Sequence, residues 1–90
     1  MLLGKVVGQV WATRKDEKLT GMKLLVVRHI NLDYSFRNSY VVAVDSVGAG
    51  SGEYVLVTTG SSARQSALTE GKPVDAVISA IIDTLDVEKQ

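Results

Sequence analysis

Between two apolar runs the chain reads Val44-Asp45-Ser46-Val47-Gly48-Ala49-Gly50-Ser51-Gly52-Glu53, followed soon by Gly60-Ser61-Ser62-Ala63-Arg64. These stretches hold the residues whose types and spacing could do chemistry. Gly48-x-Gly50-x-Gly52 after a strand-like run invites comparison with the dinucleotide fingerprint, in which glycines admit a pyrophosphate to the N-terminus of the next helix. Here Glu53-Tyr54-Val55-Leu56-Val57 follows, which is strand-like, and the third glycine is misplaced, so that reading fails. Gly60 to Arg64 has the parts of an anion site: amides at a helix start, two hydroxyls and a guanidinium. A plainer reading caps a helix with Ser61 or Ser62 and pairs Arg64 with a carboxylate.

The remaining reactive groups are scattered. Asp45, Glu53, Asp75 and Asp83 are carboxylates without metal-ligand spacing, and strand-end carboxylates more commonly accept backbone hydrogen bonds. His29 is the one histidine and cysteine is absent, which excludes disulfides, thiolate chemistry and a multi-histidine zinc site within one chain. No nucleophile can be matched to a base, since the base would have to be His29 with no identified partner. An enzyme is not expected, and no cofactor or metal is implied.

Five aromatics, Trp11, Tyr34, Phe36, Tyr40 and Tyr54, are few for stacking on single-stranded nucleic acid, and no basic groove accompanies them. Trp11 and Tyr54 read more simply as core or subunit-interface residues. Ten basic and ten acidic residues balance to zero, whereas nucleic-acid binding draws its affinity from phosphate neutralisation. The mixed-sign cluster Arg14-Lys15-Asp16-Glu17-Lys18 reads as a solvated turn. No apolar run approaches the ~20 residues of a membrane span, and Met1-Leu2-Leu3-Gly4-Lys5 lacks the layout of a signal peptide. The expectation is a cytoplasmic protein with neither nucleic acid nor membrane as partner.

The elements that must position these residues are strands. Residues 3–13 alternate, with Val6, Gly8, Val10 and Ala12 on one face, and Gly8 marks a bulge or bend. A second strand runs over 23–30, and 31–39 reads as a long hairpin connection. Tyr40 to Val44 and Tyr54 to Thr59 form the third and fourth strands on either side of the glycine loop. A short helix is expected over 63–68, broken by Thr69 to Pro73. Residues 74–87 fit a helical face, yet their β-branched density favours a strand, placed at 77–85. The expected fold is all-β, a five-stranded OB-like barrel with one short helix before the last strand. Residues 1–90 make one small domain, which buries only about two-thirds of its unfolded surface and so gains from partner subunits.

Asp45 to Glu53, followed by Val55-Leu56-Val57 and Gly60-Ser61-Ser62-Ala63-Arg64, resembles the EutN/CcmL family of bacterial microcompartment vertex proteins. Val6-Val7-Gly8, Thr13-Arg14-Lys15, Leu19-Thr20-Gly21-x-Lys23-Leu24-Leu25, Pro73-Val74-Asp75-Ala76 and Ile81-Ile82-Asp83 fall in the family's order. Tyr54 stands where tryptophan is common in that family. The resemblance implies a homopentamer at the five-fold corners of a polyhedral shell, beside hexameric shell proteins. It implies that Gly48, Ala49, Gly50, Ser51, Gly52 and Glu53 lie near the five-fold axis, where crowding copies favour glycine. Asp45, Ser61, Ser62 and Arg64 would then serve the subunit contact. Two other classes stay open on the residues alone: an OB-fold nucleic-acid binder, and a barrel that binds a small anion through Gly60 to Arg64.

Overall fold

In the computed structural model, which describes residues 1–13, 15–60 and 74–88, five strands carry the fold. They are β1 (Leu2–Gln9), β2 (Leu24–Ile30), β3 (Phe36–Asp45), β4 (Tyr54–Thr59) and β5 (Ala76–Ile81). They close into a barrel in the spatial order β1-β2-β3-β5-β4. Every neighbouring pair is antiparallel except β3 and β5, which run parallel and share only two positions, Val44 with Val77 and Asp45 with Ile78. The helix expected over 63–68 lies outside the described residues. The helical segment that is described is a 3-10 turn at Glu17–Leu19, begun by the Asp16 carboxylate accepting from the Lys18 amide.

Alternation along the strands separates two packed layers. Val6, Leu25, Val27, Ala43, Val55, Val57 and Ile78 fill the barrel interior, as period two demands of a half-buried strand. Their neighbours of opposite parity, Val44 and Val77, join Val74 in a second buried cluster on the barrel's outside, covered by Leu19, Met22 and Leu24. The 3-10 turn therefore delivers Leu19 as a lid on that cluster.

Three register irregularities bend the barrel, one of them between Leu56 and Val57 of β4, where Ser79 of β5 is the extra residue. The β1–β2 register slips between Val6 and Gly8, which is the bulge expected at Gly8. A Cβ at Gly8 would meet only the Val26 side chain, at 3.7 Å, so the bulge is not a response to crowding. Gly4 is the crowded glycine: a Cβ there would overlap Val27 Cγ1 and stand 2.8 Å from the Arg28 carbonyl oxygen. The third irregularity lies between the pairs Arg28–Tyr40 and Ile30–Phe36, where His29 on β2 faces three residues of β3. Arg28 fills that bend by donating from Nε to the Arg37 carbonyl at 3.0 Å.

Several boundaries differ from the sequence expectation. β1 ends at Gln9 instead of 13. The last tie beyond it is the Val10 amide donating to the Leu24 carbonyl, and Trp11 then turns out into solvent, 84% exposed, so it is not a core residue. β3 starts at Phe36 instead of Tyr40, because the bend lets the polar stretch Arg37-Asn38-Ser39 stay in the strand; the connection shrinks to 31–35. β5 occupies Ala76–Ile81 instead of 77–85. Its partner β4 begins at Tyr54, whose carbonyl takes the Ile82 amide as the last bond, so the chain leaves the sheet there.

Candidate functional site: the glycine loop

The loop from Asp45 to Glu53 joins β3 to β4 and is closed by its own carboxylates. Asp45 sits at the end of β3, where its amide donates to the Lys23 carbonyl at 2.9 Å. Its Oδ1 then accepts from the amides of Val47, Gly48 and Ala49, each at 3.1 Å. Successive amides converging on one point form an anion cradle, and here Asp45 itself occupies the cradle. Gly48 makes the turn possible, with φ +78°.

Ala49 next dips into the barrel and is fully buried. Its carbonyl, aimed back outward, accepts from Lys23 Nζ at 3.0 Å. The second carboxylate closes the second half: Glu53 Oε1 accepts from the Gly50 amide at 2.6 Å, and the Glu53 amide donates to the Gly50 carbonyl at 3.2 Å. Gly52, at φ +85°, turns the chain so that its amide meets the Val6 carbonyl and the Val6 amide meets the Glu53 carbonyl, both at 2.9 Å. Ser46 ties the other flank to β5 through Oγ to the Ile78 carbonyl at 2.7 Å. Of the three glycines, Gly48 and Gly52 need positive φ. Gly50 does not, and a Cβ there would touch only Glu53 Oε1 at 3.4 Å.

This geometry limits what the loop can do. Asp45 and Glu53 are both engaged by backbone amides, so they are not a free acid–base pair. β4 begins at Tyr54, just after Glu53, leaving no helix N-terminus for a pyrophosphate. No three described His, Cys, Asp or Glu residues stand where they could hold a metal ion. What the loop presents to solvent is Ser46, Val47, Gly48, Ser51 and Gly52: short side chains on a backbone held by the bonds above.

The other residues singled out in the sequence do not gather here. His29 lies on β2 opposite Gly4, its Nε2 buried without a hydrogen-bond partner among the described residues. Asp75 contributes its carbonyl to the Gly60 amide, and Asp83 is exposed on the segment after β5. Ser61, Ser62 and Arg64 lie outside the described residues. Asp45, expected at a subunit contact, is bonded within its own chain. Sequence reasoning missed the role of Gly4; it read Asp45 as a strand-end carboxylate accepting backbone hydrogen bonds, which it is, without naming the three amides it gathers. Those amides had a signal, since an Asp two to four residues before a glycine turn commonly folds back on its own amides.

The model of the family described as ethanolamine utilisation protein EutN/carboxysome matches residues 1–83. The chain belongs to the EutN/CcmL family. It is 46% identical to the carboxysome shell vertex protein CcmL of Thermosynechococcus vestitus, over 94% of this chain and 86% of that one. Among solved structures this EutN/CcmL chain superposes on CcmL of Gloeobacter violaceus with a TM-score of 0.93 and 43% identity, covering 98% of this chain and 91% of that one. On the pentameric microcompartment shell protein GrpN of Rhodospirillum rubrum the TM-score is 0.90 at 45% identity, covering 98% of this chain and 100% of that one. The five-stranded barrel is thus the family's fold. Tyr54 begins β4 beside the loop with its ring packed edge-on against Tyr34, so the aromatic position is kept in use.

Proposed function

We propose that this chain is a structural subunit that forms a homopentamer and occupies the five-fold vertices of a bacterial microcompartment shell. The observation that carries this is the likeness, over nearly the whole of both chains, to a shell protein whose structure is pentameric. The mechanism is geometric. A net of six-fold tiles is flat, and a five-fold unit in place of one tile introduces the curvature that closes it. A pentamer is a heterologous ring that closes on itself.

Within that ring the Gly48–Glu53 loop lies near the five-fold axis, where its short side chains let five copies approach. Support comes from its build: both carboxylates are turned back onto the loop's own amides, which leaves short side chains on its outer edge. Asp45, Ser61, Ser62 and Arg64 belong to the subunit contact, and the outer rim meets the hexameric tiles. The whole chain acts as one vertex domain in the cytoplasmic shell and performs no catalysis. Removing Arg64 should weaken the ring by about 3–5 kcal/mol if it forms a buried pair, and by under about 1 kcal/mol if it is exposed on the rim.

Native mass spectrometry tests the assembly, and a monomer across micromolar concentrations would refute it. Electron microscopy of a deletion strain tests the role. Six-fold sheets that roll into tubes or stay open are expected, with enzyme activity intact in lysate. Closed, faceted shells in a strain with no second vertex gene would overturn it.

A further inference from the structure

An open cavity of about 270 Å³ lies at the mouth of the barrel, at the far end of β2 from the tie between Lys23 and the glycine loop. Its wall includes Leu2 at the start of β1, His29 and Ile30 at the end of β2, Asn31 and Leu32 just beyond, and Arg37 near the start of β3. Parity along β2 puts His29 on the side of Leu25 and Val27, so the imidazole ends the interior row where that row reaches the opening. The bend passes three residues of β3 across from His29, which widens the mouth there, and Arg37 is one of the three.

Two features of this wall point to a ligand. The first is His29 Nε2, which is buried and meets no hydrogen-bond partner among the described residues. A buried polar atom left unmet is costly, and in native proteins water, an ion or a bound molecule commonly meets it. The second is the sign of the charge. The polar side chains of the wall are an imidazole, an amide and a guanidinium, and no described carboxylate lines it. Asp33, next along the chain from Leu32, is turned onto the hydroxyl and amide of Ser35. Asn31 is fixed by Nδ2 donating to Ser35 Oγ at 3.0 Å. The rest of the wall is largely aliphatic. A few converging polar groups on an apolar wall is the makeup of a small-molecule site, and the volume falls just below the about 300–1,000 Å³ of drug-sized pockets.

We infer that this cavity binds a small monocarboxylate with a short apolar tail. Arg37 takes the carboxylate, whose two oxygens match the guanidinium fork. Entry of the ligand turns the His29 imidazole so that Nε2 donates to one of those oxygens and gains the partner it lacks. The tail lies against Leu2, Ile30 and Leu32. Phosphate or sulfate fits less well, since neither has an apolar part to cover the aliphatic wall and one guanidinium meets only part of the charge. The site is built within one chain, so it stands apart from the ring reading above.

His29 is the one histidine of the chain, so its imidazole nitrogens give a single pair of NMR signals. The full-length protein is titrated with sodium pentanoate at constant pH and ionic strength, with native mass spectrometry alongside. Saturating shifts of the imidazole signals with a millimolar dissociation constant are expected, and pentanol, which lacks the charge, should give none. Arg37→Gln should weaken binding about tenfold, the effect of losing a charge-assisted hydrogen bond. His29→Leu, read at the Ile30 and Leu32 amides, should weaken it as well. Arg37 is exposed, so its replacement leaves the fold alone and carries the test should circular dichroism show that His29→Leu fails to fold. Shifts that grow without saturating, or that Arg37→Gln leaves unaltered, overturn the site. Saturation by inorganic phosphate and not by pentanoate overturns the carboxylate assignment. Binding to a monomeric wild type keeps the site and removes the ring, and a ring without binding does the reverse.

Discussion

Asp45 Oδ1 stands 3.1 Å from the amide nitrogen of Ala49, and the Ala49 side chain is fully buried in the barrel core. The carboxylate thus fixes the point at which the loop plugs the barrel. Without it three amides lose their common acceptor. Asp45→Ala should lower stability by about 1–3 kcal/mol, since hydrogen bonds to a charged acceptor exceed neutral ones. Asp45→Asn keeps an oxygen and should lose less. Urea denaturation monitored by circular dichroism checks both, and an unchanged midpoint for Asp45→Ala would show that the loop holds itself without the cradle.

The glycines of the loop should separate into two classes. Gly52 sits at φ +85° with open space around it, so Gly52→Ala meets backbone strain alone, about 1–2 kcal/mol. Gly50 is unstrained, and Gly50→Ala should leave the melting temperature of the barrel nearly unchanged. Gly50→Val should shift the oligomer to smaller species while the spectrum stays β-rich, if copies meet on the axis. Thermal melts beside native mass spectrometry distinguish strain from crowding.

Gly4→Ala should be the most damaging of the single-methyl changes. Its new methyl overlaps Val27 and presses on the Arg28 carbonyl, both within the sheet. Overpacking of this kind costs about 1–3 kcal/mol. Because one of the obstacles is a side chain, Val27→Ala should partly rescue Gly4→Ala in a double-mutant cycle. Strict additivity of the two substitutions would mean that the backbone carbonyl alone sets the limit.

The turn at 31–35 should respond to acid. The Asp33 carboxylate accepts from the Ser35 hydroxyl and the Ser35 amide, which hold its pKa below the ordinary carboxylate value, the hydroxyl contributing more. A folded pKa below the unfolded one contributes stability that is present above the unfolded pKa and is lost as pH falls through the folded one. A carboxyl titration followed by NMR should place the Asp33 midpoint below the ordinary aspartate value. Ser35→Ala should move it back up, and no movement would assign the shift elsewhere.

Much of the barrel was legible because period two is a local property. Lys23 to Ile30 and Tyr54 to Thr59 read as strands from their own residues, and the glycine loop between strands ruled out a dinucleotide site without any coordinates. Gly4 was not legible, because its neighbours Val27 and Arg28 are more than twenty positions away and only pairing brings them to its Cα. Asp45 read from its type and place as a strand-end carboxylate accepting backbone hydrogen bonds, but which three amides it gathers follows only from the turn at Gly48.

The sequence by itself determined the strand content, the exclusion of thiol and multi-histidine chemistry, and, through its ordered motifs, the family. These follow from residue types and short spacings. Tertiary structure alone decided that Tyr40, Arg28, Lys5 and Tyr54 form one row, since those residues lie far apart in the chain and meet only through the register of four strands. Register slips by two residues at the His29 bend, and an alternating pattern records parity but not the extra residues of a bulge. That is why five scattered aromatics gave no sign of a surface until the strands were paired.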